Sequence, residues 1–190
     1  DENMDRTNDS CIGVQFNSSF SDGDSLADYA HELQKYNIVL ATRDLKGVIM
    51  NAALDFVDYD LISLGYELLR TIMLSGCYDI IKSLIIRMWN SIRPHNSNIP
   101  FTIKITGIPT ENGRENISCN IKGNLTSKQK EEILEKTFDL ANNISNNTFK
   151  LKEKSMFYDA FNAHIFQVDS NNISLSEVDV EKEIRKKTSK

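Results

Sequence analysis

Glycine, proline and cysteine are all scarce in this sequence, and each scarcity narrows the class of protein. The 190 residues include 8 Gly and 3 Pro, while 40% of residues are hydrophobic, so a chain that is disordered throughout is excluded. The 3 cysteines are far apart and odd in number, unlike the even, closely spaced sets of secreted disulfide scaffolds. We therefore expect Cys11, Cys77 and Cys119 to be reduced thiols in a cytoplasmic protein.

Long apolar runs and a surplus of basic residues are also missing. The sequence has no stretch of about 18 apolar residues, so no membrane-spanning helix is predicted. The formal net charge is −5 and the sequence pI is near 5.3, which argues against strong nucleic-acid binding. Much of the negative charge lies near the start of the chain, where Arg6 opposes Asp1, Glu2, Asp5, Asp9, Asp22, Asp24 and Asp28.

Apolar residues recur at every third or fourth position through the first half of the chain, which predicts four helices. The predicted helices cover residues 26–40, 45–56, 61–72 and 77–93. Ser25 is the expected N-cap of the first helix, and Ser75-Gly76 is the expected end of the third. The fourth helix is apolar around much of its circumference, so we expect it at the centre of a bundle.

After Pro100 the apolar period changes from helical spacing to strict alternation, which predicts two strands. Phe101, Ile103 and Ile105 alternate with polar residues, and so do Ile117, Cys119 and Ile121. The Asn112-Gly113 step between the two runs is a strong hairpin signal. A three-residue loop, Glu111–Gly113, would pair Ile105 with Cys119 and keep the two apolar faces together.

The last third of the sequence begins with its clearest helix signal. Thr126 and Gln129 form a capping box, and the apolar residues after them predict a fifth helix that packs on the hairpin. Residues 149–152 are a candidate third strand. The aromatic stretch 156–166 is ambiguous between helix and strand and is expected to complete the core, while residues 177–190 suggest a charged helix.

These patterns together predict an α+β fold. It consists of an N-terminal four-helix bundle, followed by a β-hairpin with a helix packed on it and a short aromatic C-terminal element. Residues 1–24 are expected to be an acidic polar tail, in which the apolar stretch 11–16 is a candidate edge strand. Residues 25–169 would form one α+β domain, and residues 170–190 a polar, charged tail.

Motifs for metal, nucleotide or covalent chemistry are not found. His31, His95 and His164 are isolated from one another and from cysteine, so no zinc spacing occurs. No phosphate-binding loop or nucleophile elbow is present either. We therefore predict no catalytic residue, cofactor or metal site. The carboxylates Asp55, Asp58 and Asp60 are close enough in sequence to hold a hard cation, but such clusters are more often solvated helix boundaries.

One stretch at the end of the fourth predicted helix is the best candidate for a binding surface. It contains Arg87, Arg93 and His95 around Trp89, the one tryptophan of the chain. Arginine and tryptophan are enriched at binding hot spots because both combine a large contact area with a polar group. The competing interpretation is that Trp89 belongs to the core and that the arginines complement the helix dipole.

The leading functional hypothesis is a non-catalytic interaction or regulatory protein that acts through surface recognition or self-assembly. In self-assembly, the acidic front of one molecule would contact the basic end of another, which carries Arg185, Lys186, Lys187 and Lys190. The alternative is a small hydrolase or nuclease with a site around Asp55, Asp58 and Asp60 or around Arg87 and His95. A small-molecule site in the aromatic cluster near Phe157 and Phe161 is a third hypothesis.

Overall fold

The computed structural model of the protein describes residues 10–18, 26–46, 60–92, 100–154 and 158–189. Its strands are β1 (Cys11–Phe16), β2 (Val39–Asp44), β3 (Asp60–Gly65), β4 (Phe101–Thr110), β5 (Gly113–Ile121), β6 (His164–Asp169) and β7 (Ser174–Glu177). Its helices are α1 (Leu26–Gln34), α2 (Tyr66–Leu74), α3 (Tyr78–Ile92), α4 (Ser127–Ser145), α5 (Tyr158–Phe161) and α6 (Val180–Thr188). The strands form one sheet in the order β2-β1-β3-β4-β5-β6-β7.

Pairs of parallel strands make up most of this sheet. β1 lies parallel to β2, β3 to β4, and β5 to β6. Parallel neighbours cannot be joined by a tight turn, and here a connection that contains at least one helix joins each pair. Where two pairs meet the strands are antiparallel, as between β1 and β3 and between β4 and β5. β7 extends the sheet antiparallel to β6.

One face of the sheet carries the hydrophobic core. Ile62, Ile103 and Phe166 are fully buried on this face, and residues of α1 to α4 belong to the same continuous cluster. α4 packs on β4, and α3 contacts both α1 and α4, so these helices form a layer over the apolar face. None of the helices in the described part of the chain is long and apolar enough to cross a membrane.

The predicted N-terminal four-helix bundle is wrong, because a mixed seven-stranded sheet lies in its place. The first predicted helix is cut short: α1 ends at Gln34, and Val39–Asp44 form β2. The third is divided, since β3 occupies Asp60–Gly65 before α2 begins at Tyr66. From residue 47 onward, the second predicted helix lies outside the described residues.

The error at β3 arises because a short apolar run is compatible with two periods. Leu61 and Leu64 are three residues apart, as on a helix, but Ile62 and Leu64 also alternate, as on a strand. The strand forms because it lies between β1 and β4, where Ile62 and Leu64 become buried in the core. Both pairing partners are distant in the chain, so local spacing does not reveal them.

The hairpin prediction was right about the two strands and wrong about their register. β4 and β5 are antiparallel neighbours, but Glu111 and Asn112 form a two-residue turn, with Thr110 opposite Gly113. Together with a bulge in β4, this turn places Ile105 opposite Ile117, not opposite Cys119 as the three-residue loop required. Both strands are longer at the turn end than the alternation alone indicated.

A bulge in β4 keeps the apolar faces of this hairpin aligned. Between Ile105 and Ile108 the register shifts, so Thr106 and Gly107 together lie opposite the single residue Asn116. Gly107 has a φ of +67°, a conformation that glycine adopts at little cost. The bulge allows both Ile105 and Ile108 to be fully buried although they are three residues apart.

Two sequence predictions about helices are confirmed. The fourth predicted helix corresponds to α3, which runs from Tyr78 to Ile92. The capping box at the start of α4 is complete: the Thr126 hydroxyl accepts from the Gln129 amide, and the Gln129 side chain accepts from the Thr126 amide. As expected, α4 packs on the hairpin.

The C-terminal third contributes more to the sheet than its sequence indicated. No strand forms at 149–152, and residues 150–154 have no regular secondary structure. From residue 158 onward, the aromatic stretch forms the short α5 and the start of β6, and residues 156–157 lie outside the described residues. Residues 11–16 and 174–177 form β1 and β7, and β1 lies inside the sheet, between β2 and β3. The charged end forms the helix α6.

Asn116→Ala should destabilise the protein by about 0.5–1.5 kcal/mol. The Asn116 side chain accepts from the Gly107 amide at 2.9 Å and donates to the Asn162 carbonyl at 3.0 Å, and alanine leaves both groups without this partner. Urea unfolding would measure the change. Asn112→Ala, at the exposed turn of the same hairpin, is the control, and equal stabilities of the two variants would contradict the role of Asn116.

Cys119 should make stability depend on pH in the alkaline range. Burial raises the pKa of its thiol to about 12, although a hydrogen bond with Thr137 acts in the opposite direction. An unfolded chain ionises a thiol near its ordinary pKa of about 8.5. Between these values the unfolded state binds fewer protons than the folded state, so the free energy of unfolding falls as pH rises.

Cys119→Ala removes this ionisation. The stability of the unmodified protein should therefore fall more steeply than that of the variant between about pH 9 and pH 11, by at most ~1.4 kcal/mol per pH unit. Urea unfolding of both proteins across this range measures the two slopes, and parallel slopes would show that the thiol does not titrate as inferred.

Candidate functional site

Three ionisable side chains lie at the end of the sheet where β5 and β6 begin and β7 ends. They are Glu115, His164 and Glu177. Glu115 is in the same alternation phase as Ile117, which lies opposite His164, and Glu177 lies opposite Phe166. All three therefore belong to the face that carries the hydrophobic core, and their side chains are only 8%, 6% and 6% exposed.

His164 lies between the two carboxylates. Its Nδ1 is 3.0 Å from Glu177 Oε1, and its Nε2 is 3.4 Å from Glu115 Oε2. An ionised carboxylate accepts hydrogen bonds and donates none, so Nδ1 carries the proton that binds Glu177. In the neutral ring this leaves the lone pair of Nε2 facing Glu115.

The Nε2 atom of His164 is buried and makes no hydrogen bond. Buried polar atoms nearly always have a partner, because an unsatisfied buried group costs free energy. Glu115 has partners of its own: the Tyr158 hydroxyl donates to Oε2 at 3.2 Å, and the Lys154 ammonium is 3.1 Å from the same oxygen. The Nε2 atom of His164 is therefore the least satisfied polar atom of the cluster.

The segment 150–154 crosses this end of the sheet. Phe149 and Leu151 pack against the core, and the Phe149 ring is 5.8 Å from the ring of Phe166. The Lys152 amide then donates to Glu177 Oε2 at 2.8 Å. Lys154 reaches Glu115 with its ammonium 4.5 Å from the centre of the Tyr158 ring. Apolar contacts and polar contacts thus both attach the segment to the cluster.

A cleft of about 750 Å³ and a smaller cavity of about 220 Å³ both border this segment, at residues 152–154. The hairpin turn, the end of α4 and residues 149–154 line the cleft. Tyr158, Phe161, Val178 and Val180 are among the residues that line the smaller cavity. His164 and Lys154 line both, so the ionisable cluster lies where the two spaces meet.

A second buried charge has a structural role. Lys82 on α3 is 8% exposed and lies 2.5 Å from Glu135 and 3.2 Å from Glu131 on α4. Burial acts to lower the pKa of Lys82, but the hydrogen bonds to Glu135 and Glu131 outweigh it and raise the pKa overall. This arrangement joins two helices and borders neither of the cavities described above.

Of the four sequence-predicted binding residues, Arg87 and Trp89 lie within the described part of the chain. Trp89 is 2% exposed and stacks on Phe101 with ring centres 4.5 Å apart, so it is a core residue. Arg87 is exposed on α3 and lies over the ring of Tyr29 on α1. Arg93 and His95 lie outside the described residues.

The alternative hydrolase site is also only partly described. Asp55 and Asp58 lie outside the described residues, as does Phe157 of the proposed aromatic site. Asp60 is buried at the start of β3, beside Phe101 on β4. Within the described residues, no group of three or more His, Cys, Asp and Glu side chains is arranged to hold a metal ion.

Sequence reasoning missed the cluster because its members are distant from one another in the chain. One signal was available: Glu115 continues the alternation of Ile117, Cys119 and Ile121, which places a charged residue in an apolar phase. A charged side chain in that phase must be paired or serve a function. His164 is likewise two residues before the apolar Phe166. Because this stretch was ambiguous between helix and strand, its sequence did not show that the two residues share a face.

Comparisons with models of known protein families, with curated proteins and with solved structures found no match to this chain. Any functional proposal for the protein therefore depends on the chemistry of its own residues.

Glu177→Ala should lower the free energy of unfolding by about 1–3 kcal/mol, because it leaves the buried His164 Nδ1 and the Lys152 amide without their acceptor. Urea unfolding at neutral pH measures this loss. Ser176→Ala is the matched control, since Ser176 is the exposed neighbour on the same strand. A loss no larger than that of the control would mean that Glu177 contributes nothing to the cluster.

Proposed function

We propose that this protein is a non-catalytic recognition protein that binds an extended peptide segment of a protein partner. The proposed site is the cleft between the Glu111-Asn112 turn and residues 150–154. The observation that carries the proposal is the open backbone of this segment along a cleft of about 750 Å³. Clefts of this size are typical of ligand sites in proteins.

The backbone of residues 150–154 is unusually available for hydrogen bonding. Within the described part of the chain, the one hydrogen bond that this backbone makes is the donation from the Lys152 amide to Glu177. The remaining amides and carbonyls need water or a ligand as partners. An extended peptide supplies donors and acceptors along its length and can pair with such a segment as a strand pairs with a sheet edge.

The charges of the cleft also suit a peptide. Lys150, Lys152 and Lys154 line it, and so do Glu111, Glu115 and Glu153. Because the two signs are interspersed, the cleft does not favour the uniformly negative backbone of a nucleic acid. Ile144, Phe149 and Leu151 add apolar area at its wall, where an apolar side chain of a peptide could pack.

Self-assembly through the basic C-terminal end receives less support. Arg185 and Lys186 already form ion pairs with Glu181 and Glu183 of their own helix. Exposed pairs of this kind are individually weak, but they reduce the net positive charge that a second molecule would meet. Recognition of a separate partner is therefore the form of the proposal that the described residues favour.

Selection of a random peptide library on the immobilised protein tests the proposal. Peptides with both charged and apolar residues should be enriched and should bind in solution by fluorescence anisotropy. Lys150→Trp places a bulky ring in the cleft and should weaken their binding by about tenfold or more, equivalent to ~1.4 kcal/mol.

Lys128→Trp provides the matched control, because Lys128 is an exposed lysine in the first turn of α4, whereas Ile144 of the cleft wall is near the end of that helix. Enrichment of no peptide, or enrichment of peptides that bind equally to the Lys150→Trp variant, would overturn the proposed site.

A further inference from the structure

The His164–Glu115 pair places two electron-pair donors next to each other at the end of the sheet. Glu177 holds the proton on Nδ1, so Nε2 of the neutral ring presents a lone pair. This lone pair lies 3.4 Å from Glu115 Oε2, and both side chains are more than nine-tenths buried. Two acceptors at this separation repel each other unless a proton or a metal ion lies between them.

The separation of the two atoms matches a pair of metal ligands. Zinc binds histidine nitrogen at about 2.0–2.1 Å and carboxylate oxygen at about 2.0–2.2 Å, usually with tetrahedral angles. Two such ligands are roughly 3.4 Å apart. The observed 3.4 Å between His164 Nε2 and Glu115 Oε2 is therefore the separation that two zinc ligands would have.

The other nitrogen of His164 is bound in the way that metal-ligating histidines require. Such histidines usually donate their second N–H to a carboxylate or carbonyl, which fixes the tautomer and the orientation of the ring. Glu177 supplies this carboxylate at 3.0 Å and is itself held by the Lys152 amide. The buried Nε2 without a hydrogen bond completes the pattern.

We propose that His164 Nε2 and Glu115 Oε2 bind one divalent transition-metal ion of the zinc type, with Glu177 orienting the histidine. Imidazole combined with carboxylate suits zinc and its first-row neighbours. The described residues supply two protein ligands, so water occupies the remaining positions, and the site is weaker than a closed four-ligand site. The proposal does not depend on peptide binding in the cleft.

Lys154 should compete with the metal ion for Glu115. Its ammonium is 3.1 Å from the same Glu115 oxygen that would bind the metal, so it competes with the ion for that oxygen. The Lys154 side chain is 48% exposed and can leave for solvent when an ion arrives. Lys154→Met removes the competing charge and should strengthen metal binding, whereas loss of a merely structural ion pair would not.

Isothermal titration of the untagged, metal-free protein with Zn²⁺, and visible absorption after addition of Co²⁺, would test the site. We expect one ion per chain. His164→Gln and Glu115→Gln should abolish that binding, and Glu177→Gln should weaken it by about 10–100-fold. Lys154→Met should bind more tightly than the unmodified protein.

The other two histidines of the chain, His31 and His95, supply the controls. His31→Gln and His95→Gln should bind as the unmodified protein does. Circular dichroism of each variant shows whether a loss of binding follows from a loss of folding. The Lys154→Met variant adds a test in which both proposed metal ligands remain in place.

Absence of saturable binding to the unmodified protein would overturn the proposal. Unchanged binding by folded His164→Gln would also overturn it, because the ion would then lie elsewhere. Weaker binding by Lys154→Met would overturn it as well, because an ion bound to Glu115 Oε2 must displace the lysine from that oxygen.

Discussion

The side chain of Asn116 connects the parts of the structure on which the candidate site depends. It accepts a hydrogen bond from Gly107 at the bulge of β4 and donates one to the Asn162 carbonyl just before β6. The first contact holds the bulge that turns both Ile105 and Ile108 into the core. The second contact fixes the chain two residues before His164 and so helps to set where β6 begins.

A group of ionisable residues therefore lies at one end of the apolar face of the sheet. Glu115 and His164 occupy positions in the alternation that are filled by apolar residues elsewhere in β5 and β6. Buried charges are tolerated where opposite charges and hydrogen bonds compensate the loss of water. Lys154, Tyr158 and the Lys152 amide supply that compensation for both carboxylates, while Nε2 of His164 receives none. This difference separates the cluster from the fully paired Lys82 arrangement between α3 and α4.

Elements with strong local signals were predictable. α4 begins where its capping box indicated, because Thr126 and Gln129 satisfy backbone groups only three residues away. The strands of the hairpin followed from alternation, but their register did not, because a bulge and a turn shift it in ways that alternation alone does not show. Trp89 illustrates the same limit: the sequence left both a binding surface and a core position open, and the stacking on Phe101 shows the core position.

The sequence by itself determined that the chain has a hydrophobic core of ordinary size, where α3 and α4 lie, and that Phe101–Ile105 and Ile117–Ile121 are strands. These features depend on composition and on contacts within a few residues. Only the tertiary structure decided that β1, β2 and β3 replace a helical bundle, and that Glu115, His164 and Glu177 meet. Strand pairing and buried ion clusters join residues far apart in the chain, so local spacing can mark one unusual member, such as Glu115, but does not reveal its partners.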